Sequence, residues 1–429
     1  MTNILKAMAR SRTAVNPSRF QLFQPADQIP LSGSMVLISA DKAPVERSLQ
    51  KIVALSEKIG AEFRDDLNLK CLDGCLSVEA PPEVAGRVLA RLPWNCLVPL
   101  PSFHLSVATD DIVISSHDEG LTGECVSIME ALLELYNLTD KLAHHRRTSP
   151  WSLLASFPEL LDFISPARYQ NHFGFADLII SGNNDELMLQ SFLSSRVLVY
   201  PDSARAPPYP VLMPVIDFFN HHFQGALFQI DQDRNKSGSV AMTRSVPLGV
   251  TRNECFACYG AHDSFDTWLI HGFIDSTALF IRSIAMTIKL PGLGTIELTS
   301  VIKNREPRAL PSSVRNLSFY IPAFLAASGN CIKVGRLFIP GPAAPRALRR
   351  TLDFLISEMH PGRARRQDLI MQAEEQILTA NNAYYRDLMR SLQGLQPQDH
   401  PQRQLLDNFR RLCQLQLARI EAYRGYAKG

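Results

Sequence analysis

Pro214-Val-Ile-Asp217-Phe-Phe-Asn220-His221-His222 is the stretch on which the interpretation of this 429-residue chain depends. A second segment, Glu254-Cys-Phe-Ala-Cys-Tyr259-Gly260, follows after a hairpin-like stretch from Gly225 to Val250. A third runs from Trp268 through Gly272-Phe273 to Asp275. All three set polar side chains among apolar neighbours, and we take them as the candidate site.

Two kinds of metal or redox chemistry compete for these segments. Asp217, His221 and His222 form a two-histidine, one-carboxylate set of the kind that binds iron or zinc. Adjacent histidines on a strand point apart, however, which disfavours one shared metal. Cys255 and Cys258 have the spacing of a zinc or disulfide motif, but residues three apart on a strand face opposite sides. We therefore interpret them as buried structural thiols and predict no metal site.

Composition excludes several other classes of protein. The chain is 46% hydrophobic and 20% charged, which is typical of a globular protein and unlike a disordered or collagenous one. Its 44 basic and 42 acidic side chains leave a net charge of +2, so the chain lacks the large excess of positive charge that is typical of proteins that bind nucleic acid or anionic membranes. No apolar run reaches the length of a membrane span. Eight scattered cysteines favour a reducing, cytoplasmic location.

Apolar spacing predicts the elements along the chain. We expect a strand at Ser34–Ile38, a helix at Val45–Ile59, and strands at Val88–Leu92 and Asp111–Ser115. Helical periodicity returns over 126–142 and mostly continues over 150–195. A strand-rich block covers 211–290, and the chain is almost purely helical after Pro345.

The three segments, in this order and spacing, resemble the SET-domain methyltransferases, in particular the subgroup of the Rubisco large-subunit lysine methyltransferase and the actin-histidine methyltransferase. That subgroup carries a Pro-x-x-Asp-x-x-Asn-His segment, a Tyr-Gly segment and a run ending in Gly-Phe. Ser149-Pro-Trp151 through Pro158 and Ser194-Ser195-Arg196 are similar to two further family segments.

The resemblance implies a fold class and a domain order. The class is α+β, with a β-rich, pseudoknotted SET-type fold that carries a helical insertion at about 125–195. An all-α C-terminal domain follows. The expected domains are an unplaced N-terminal extension (1–68), a SET-like catalytic domain (69–285) and a helical substrate-binding domain (286–429).

The resemblance also implies S-adenosylmethionine as cofactor and assigns roles to residues of this chain. Tyr259 takes the catalytic position, where a hydroxyl steers the methyl group and holds the acceptor amine. Arg196 offers a forked cation to a carboxylate, and Asn220 offers an amide donor and acceptor. The predicted cofactor-binding residues are Asp73, Gly74, Cys75, Arg196, Asp217, Asn220, His221, Gly272 and Phe273.

The chain departs from the family pattern at two positions. Leu76 replaces the second glycine of the usual Gly-x-Gly loop, and Asp263-Ser264-Phe265-Asp266 stands where many relatives have Ser-Asn-Ala-Glu, so that an asparagine is lost and a bulky phenylalanine appears. The expected activity is N-methylation of a lysine or histidine side chain of a protein. Two alternatives stay open: a SET-fold binding module that has lost catalysis, and an enzyme that uses S-adenosylmethionine on a small molecule.

Both ends of the chain carry excess basic residues. From residue 341 on there are 14 basic and 9 acidic side chains, which indicate either a solvated helical surface or a docking surface for an acidic protein partner. The first 26 residues have basic but no acidic side chains, and they loosely resemble a transit peptide. We interpret that stretch as a basic leader, since it lacks the apolar core of a secretory signal.

Overall fold

A computed structural model of the chain describes residues 36–168, 174–200, 209–231, 238–250, 253–300, 310, 312–359 and 366–427. The chain divides into two compact units. The first comprises the residues up to Arg147 together with Asn183–Ala261, and the second comprises Thr148–Gly182 together with His262–Gly429. The basic leader and Ser34 lie outside the described residues.

The helices of the described residues are α1 (Ala43–Lys58), α2 (Gly123–Leu138), α3 (Lys141–Thr148), α4 (Pro150–Ser156), α5 (Leu161–Arg168), α6 (Phe175–Ile180), α7 (Asn184–Ser194), α8 (Ser264–His271), α9 (Ala347–Met359), α10 (Arg366–Gln393) and α11 (His400–Tyr426). None of these helices is long and apolar enough to cross a membrane.

The strands are β1 (Leu37–Ala40), β2 (Glu62–Phe63), β3 (Asn68–Leu72), β4 (Cys75–Glu79), β5 (Val88–Pro93), β6 (Val98–Pro99), β7 (Phe103–Ala108), β8 (Asp111–His117), β9 (Leu198–Tyr200), β10 (Tyr209–Leu212), β11 (Asn220–Ala226), β12 (Gln229–Asp231), β13 (Ser239–Thr243), β14 (Phe256–Ala257), β15 (Phe280–Arg282), β16 (Met286–Leu290), β17 (Gly294–Thr299), β18 (Phe324–Ser328), β19 (Cys331–Gly335) and β20 (Phe338–Pro340).

The first unit is built from small sheets packed with helices. One sheet has the order β12-β13-β5-β2, a second has the order β1-β3-β4, and β11 pairs with β14 in parallel. Helix α1 packs against α2 and buries Leu49, Ile52 and Val53, the residues whose spacing predicted it. The predicted strands at 88–92 and 111–115 are confirmed as β5 and β8. Residues 36–68, part of the unplaced extension, contribute β1, α1 and β2 to this unit.

The second unit joins a sheet to the C-terminal helices. The α+β class and the helical C-terminal region are confirmed, and the helices occupy α9–α11. The expectation of an all-α domain from residue 286 on is wrong for its first part, where β16, β17, β19 and β18 form a four-stranded sheet. In Met286–Leu290 the buried Ile288 and Leu290 alternate with the exposed Thr287 and Lys289, because one face of the strand covers the core.

An aromatic cluster forms the core beneath the helices of the second unit. Trp268 of α8 stacks on Phe409 of α11 with ring centroids 4.1 Å apart. Phe265 is fully buried and packs near Tyr385 and Phe409. Phe265 is therefore a core residue of this unit. The functional domains expected at 69–285 and 286–429 stay predictions. Their boundaries differ from those of the two compact units.

Candidate functional site

A strained turn introduces the Asp217-to-His222 segment. Val215 is fully buried and has a φ of 64°, a left-handed conformation that β-branched residues avoid. The amide of Ile216 donates to the carbonyl of Pro214 at 2.7 Å, which closes a three-residue γ-turn around Val215. Such strain costs roughly 1–3 kcal/mol and is concentrated at functional sites. The turn leads into a single 3-10 turn, Ile216–Phe218, which carries Asp217.

Asp217 lies at the centre of a buried polar cluster in the first unit. Its Oδ2 accepts a hydrogen bond from the hydroxyl of Tyr136 at 2.7 Å and pairs with the guanidinium of Arg196 at 2.9 Å. Only 6% of its side chain is exposed. Burial raises the pKa of Asp217, and Arg196 opposes that shift. The carboxylate thus binds two protein groups and holds Arg196 in place.

Arg196 combines an ion pair with aromatic packing. Its guanidinium lies over the rings of Phe192 and Tyr136, 4.6 and 5.0 Å from their centroids. Burial disfavours its charge, but the Asp217 carboxylate outweighs that cost and raises the pKa of Arg196. The Nε atom is buried and has no hydrogen-bond partner among the described residues. Buried donors without partners are rare in proteins, so this atom is suited to an acceptor supplied by a ligand.

Lys141, at the start of α3, is a site residue that the sequence analysis missed. Burial and the nearby Arg196 cation lower the pKa of Lys141 to about 8. The Asp217 carboxylate favours the charged form of Lys141, and the Lys141 side chain is half-buried. Lys141 and Arg196 together bring two cations against the single carboxylate of Asp217. This excess of positive charge favours an anionic group on whatever binds here.

Asp73 and Gly74 form the two-residue turn of the β3–β4 hairpin. Both have positive φ, 50° and 74°, which is the geometry of the tight turn that connects antiparallel strands. A side chain at Gly74 would meet the carbonyl oxygen of Thr139 at 3.1 Å. The hairpin tip, with the exposed Cys75, is thus held against the segment that leads to Lys141.

Asn220 joins this hairpin to the second motif segment. Its Nδ2 donates to the carbonyl of Leu76 at 3.3 Å and to Oε1 of Glu254 at 2.8 Å. Its Oδ1 is therefore the atom that suits a donor on a ligand. Leu76 is only 7% exposed, so it is part of the core. Glu254 was not predicted, although it stands beside the Cys255–Tyr259 segment.

Tyr259 and His221 come together where β11 and β14 pair in parallel. His221 is opposite Ala257 in the register, and the backbone amide of Tyr259 donates to Nδ1 of His221 at 3.2 Å. The hydroxyl of Tyr259 donates to the carbonyl of Phe219 at 2.7 Å. Burial raises the pKa of Tyr259, so the phenol is neutral at physiological pH. The first and second motif segments thus lie side by side in the first unit, and the site roles assigned to their residues stay predictions.

Gly272 and Phe273 belong to the second unit. Gly272 ends α8 with a φ of 79°, and a side chain there would meet the carbonyl oxygen of Thr148 at 3.1 Å. These observations explain Gly272 as a helix cap. The ring of Phe273 is 6.0 Å from that of His271. A role for either residue in cofactor binding stays a prediction.

The positions of the histidine, cysteine and carboxylate side chains bear on the metal and disulfide interpretations. In the described ranges no group of three or more His, Cys, Asp or Glu side chains is arranged to hold a metal ion. All eight cysteines are described and all are free thiols. Cys255 and Cys258 are both buried, and burial raises the pKa of Cys255 to about 12. The interpretation of this pair as buried structural thiols is consistent with these facts.

Comparison with known proteins gives matches among solved structures only. No protein-family profile matches the chain, and no curated protein sequence does. The SET domain of LSMT bound to lysine and AdoHcy is 11% identical, covers 89% of this chain and 91% of its own, and has a TM-score of 0.37. Rubisco LSMT bound to AdoMet gives the same identity, coverage and TM-score. At this level of similarity, the ligands of those proteins do not carry over to this chain.

Proposed function

We propose that the chain is an S-adenosylmethionine-dependent N-methyltransferase that acts on a lysine or histidine side chain of a protein. The observation that carries the proposal is the convergence of three separate segments on one site in the first unit. Asn220 bonds both the 73–76 hairpin and Glu254, His221 bonds Tyr259, and Asp217 of the same segment pairs with Arg196. Two of the three segments that carry the family resemblance are among them, and the third, Trp268–Asp275, belongs to the second unit.

The residues fit the amino-acid end of the cofactor. Arg196 presents a buried Nε donor without a partner, and Lys141 adds a second cation, so a carboxylate would be bound by charge-assisted hydrogen bonds. The Oδ1 of Asn220 would accept from the cofactor's ammonium group. Asp217 would act through Arg196, because its own oxygen is bonded to Tyr136 and Arg196. S-adenosylmethionine supplies an electrophilic methyl group when it is bound.

Tyr259 would organise the acceptor side of the site. Its neutral hydroxyl donates to the carbonyl of Phe219, which fixes the direction of the phenol oxygen. Oxygen atoms at this position would orient the methyl group and the acceptor nitrogen for in-line transfer. The acceptor nitrogen must arrive without its proton. A histidine, with a reference pKa of about 6.5, meets that demand more easily than a lysine at about 10.4.

The acceptor is proposed to be a protein that docks on the C-terminal helices. The excess of basic side chains after residue 340 supports a partner with an acidic surface. Phe265 and Leu76, whose departures from the family pattern raised the alternative of a binding module without catalysis, are both core residues. The presence of leucine and phenylalanine at these two positions therefore leaves the polar groups of the site described above in place.

Calorimetric titration with S-adenosylmethionine, followed by transfer of a labelled methyl group to proteins of a cell lysate, tests the proposal. We expect binding at micromolar concentration and a discrete labelled band. The Asn220→Ala variant should lose about tenfold or more in cofactor affinity, whereas Asn95→Ala, an exposed asparagine that donates to a backbone carbonyl, should not. A chain that binds no cofactor at millimolar concentration would refute the proposal. Label found only in small molecules would identify the other acceptor class.

A further inference from the structure

A groove of about 620 Å³ in the first unit runs between strand β8 and helix α2. Its lining residues differ from those of the candidate site. They comprise part of one strand and one face of the helix: Asp111, Ile112, Val113, Ile114, Glu130, Leu133, Glu134, Asn137 and Leu138.

One side of the groove is the outer edge of β8. Among the described strands β8 pairs only with β7, so its second edge faces no strand. At Ile112 a side chain takes the place of that strand, because Nδ2 of Asn137 donates to the Ile112 carbonyl at 3.1 Å. The Ile112 amide in turn donates to Oδ1 of Asn137 at 3.0 Å. Alternate residues of a strand direct their backbone groups to the same edge. The amide and carbonyl of Ile114 therefore face the groove.

The opposite wall combines apolar and acidic side chains. Glu130, Leu133, Glu134 and Asn137 are spaced by three and four residues, which puts them on one face of α2. From residue 130 to 138 the helix rises by about 12 Å, enough for roughly four residues of extended chain. The wall and Asp111 together supply three exposed carboxylates, one of which, Glu134, also pairs with the exposed Lys51 at 3.4 Å, and no lining residue is basic.

The geometry points to a docking site for an extended segment of a partner protein that carries lysine or arginine side chains. The segment adds a strand to the outer edge of β8. The backbone groups of Ile114 bind its main chain, the carboxylates bind its cations, and Leu138 packs against its apolar side chains. The negative charge of the walls excludes nucleic acid and anionic lipid as occupants. This site does not depend on the proposed methyl transfer.

Fluorescence anisotropy with labelled peptides of roughly eight residues tests this proposal on the full chain. The probe alternates lysine and valine. In one comparison peptide the lysines are replaced by glutamates. In another the backbone nitrogens of the probe are methylated, so that they cannot donate hydrogen bonds. The lysine peptide should bind, more weakly as salt rises. The glutamate and N-methylated peptides should bind at least about tenfold more weakly.

Two pairs of substitutions locate the site. Glu130→Gln with Glu134→Gln should weaken binding of the lysine peptide about three- to tenfold. Glu46→Gln with Glu83→Gln makes the same change in net charge elsewhere in the first unit and should leave binding unchanged. Circular dichroism checks that both variants fold. The proposal is overturned if the lysine peptide does not bind at about 1 mM, if N-methylation has no effect, or if both pairs weaken binding equally.

Discussion

The hydroxyl of Tyr259 is the single atom on which the proposed chemistry depends most. Removing it with Tyr259→Phe should keep the packing against His221, because the ring stays in place. We expect kcat for methyl transfer to fall by about a hundredfold or more, with cofactor affinity changed less than about threefold. Single-turnover transfer and calorimetry measure the two quantities separately.

A control for this prediction is available in the second unit. Tyr320→Phe makes the same chemical change outside the proposed site and should leave kcat as it is in the unmodified chain. If Tyr259→Phe transfers methyl groups at the original rate, the catalytic position assigned to Tyr259 is wrong. The cofactor site built on Arg196 and Asn220 would still stand.

Lys141 gives the site a dependence on pH. With its pKa lowered to about 8 by burial and Arg196, its ammonium is charged below that pH and neutral above it. Attraction for the cofactor's carboxylate should therefore be full near pH 7 and be lost as the pH rises through 8. We expect calorimetric affinity to fall by roughly three- to tenfold between pH 7 and 9.

The Lys141→Met variant separates this effect from titration of the ligand itself. Methionine keeps much of the length of the side chain but has no charge. The variant should therefore bind at pH 7 with about the weakened affinity that the unmodified chain shows at pH 9. Equal slopes with pH in the two proteins would contradict a role for Lys141 in binding.

At the scale of elements, the pairing of β11 with β14 depends on Gly225. A side chain there would lie 2.6 Å from the carbonyl carbon of Ala257 and 2.8 Å from the oxygen of His222. These are backbone atoms, so the two strands must separate to admit a methyl group. We expect Gly225→Ala to lower the free energy of unfolding by about 1–3 kcal/mol and to weaken cofactor binding, since the same strands carry His221 and Tyr259.

Chemical denaturation of Gly225→Ala and Gly123→Ala provides the comparison. Gly123 begins α2, and a methyl group there meets no atom within 4 Å. That substitution should leave stability unchanged or slightly raised, because alanine is the better helix residue. If the two variants are equally stable, close approach of β11 and β14 is not what requires a glycine at position 225.

The elements also show how far sequence reasoning extends. Helix α1 was predictable because one face repeats apolar residues with the helical period, and strands β5 and β8 because short apolar runs lie between Gly and Pro breaks. The strand at Met286–Leu290 falls in the block 211–290 that the sequence marked as strand-rich, yet the resemblance assigned it, together with the strand at Cys331–Gly335, to a helical domain. Local pattern was the better guide there.

For the site, the motif residues were predictable and their supporting residues were not. Tyr136 sits on the apolar face of α2 and looks like a core residue in sequence, and its hydrogen bond to Asp217 crosses 81 positions. Lys141 stands in the polar run Lys141–Thr148, where a charged side chain normally faces water. Only the folded chain shows that it is half-buried and feels the charge of Arg196. Contacts between distant segments leave no local pattern.

At the scale of the whole molecule, both units bury ion pairs, and that of the second unit is inaccessible to solvent. The side chains of Arg168 and Asp266 are both inaccessible to solvent, and Nε of Arg168 lies 2.7 Å from Oδ1 of Asp266. Nη2 of Arg168 also pairs with Oδ2 of Asp263 at 2.6 Å. Arg282 approaches Asp266 to 3.3 Å. Removing one member of such a cluster leaves uncompensated buried charge.

The Asp266→Asn substitution should therefore lower the stability of the second unit by about 3–5 kcal/mol at neutral pH. Burial opposes ionisation of Asp266, but Arg282 and Arg168 outweigh it and lower its pKa. A carboxyl whose pKa is depressed by folding contributes stability above its unfolded pKa of about 3.9 and loses it as the pH falls further. The unmodified chain should lose this contribution below about pH 4. In the Asp266→Asn variant this contribution should be absent already at pH 7, so its free energy of unfolding should change less as the pH falls.

Urea denaturation at pH 7, 4 and 3, followed by tryptophan fluorescence, measures both effects, because Trp268 lies in the core of this unit. Asp353→Asn is the matched control: Asp353 pairs with Arg366 at 2.9 Å, but about half of its side chain is exposed. Solvent screens that pair, so its loss should cost less than about 1 kcal/mol. Both substitutions remove one carboxylate from the same unit, but only Asp266 is buried, and it faces two arginines where Asp353 faces one. Equal losses of stability in the two variants would mean that solvent reaches the Arg168–Asp266 pair in solution.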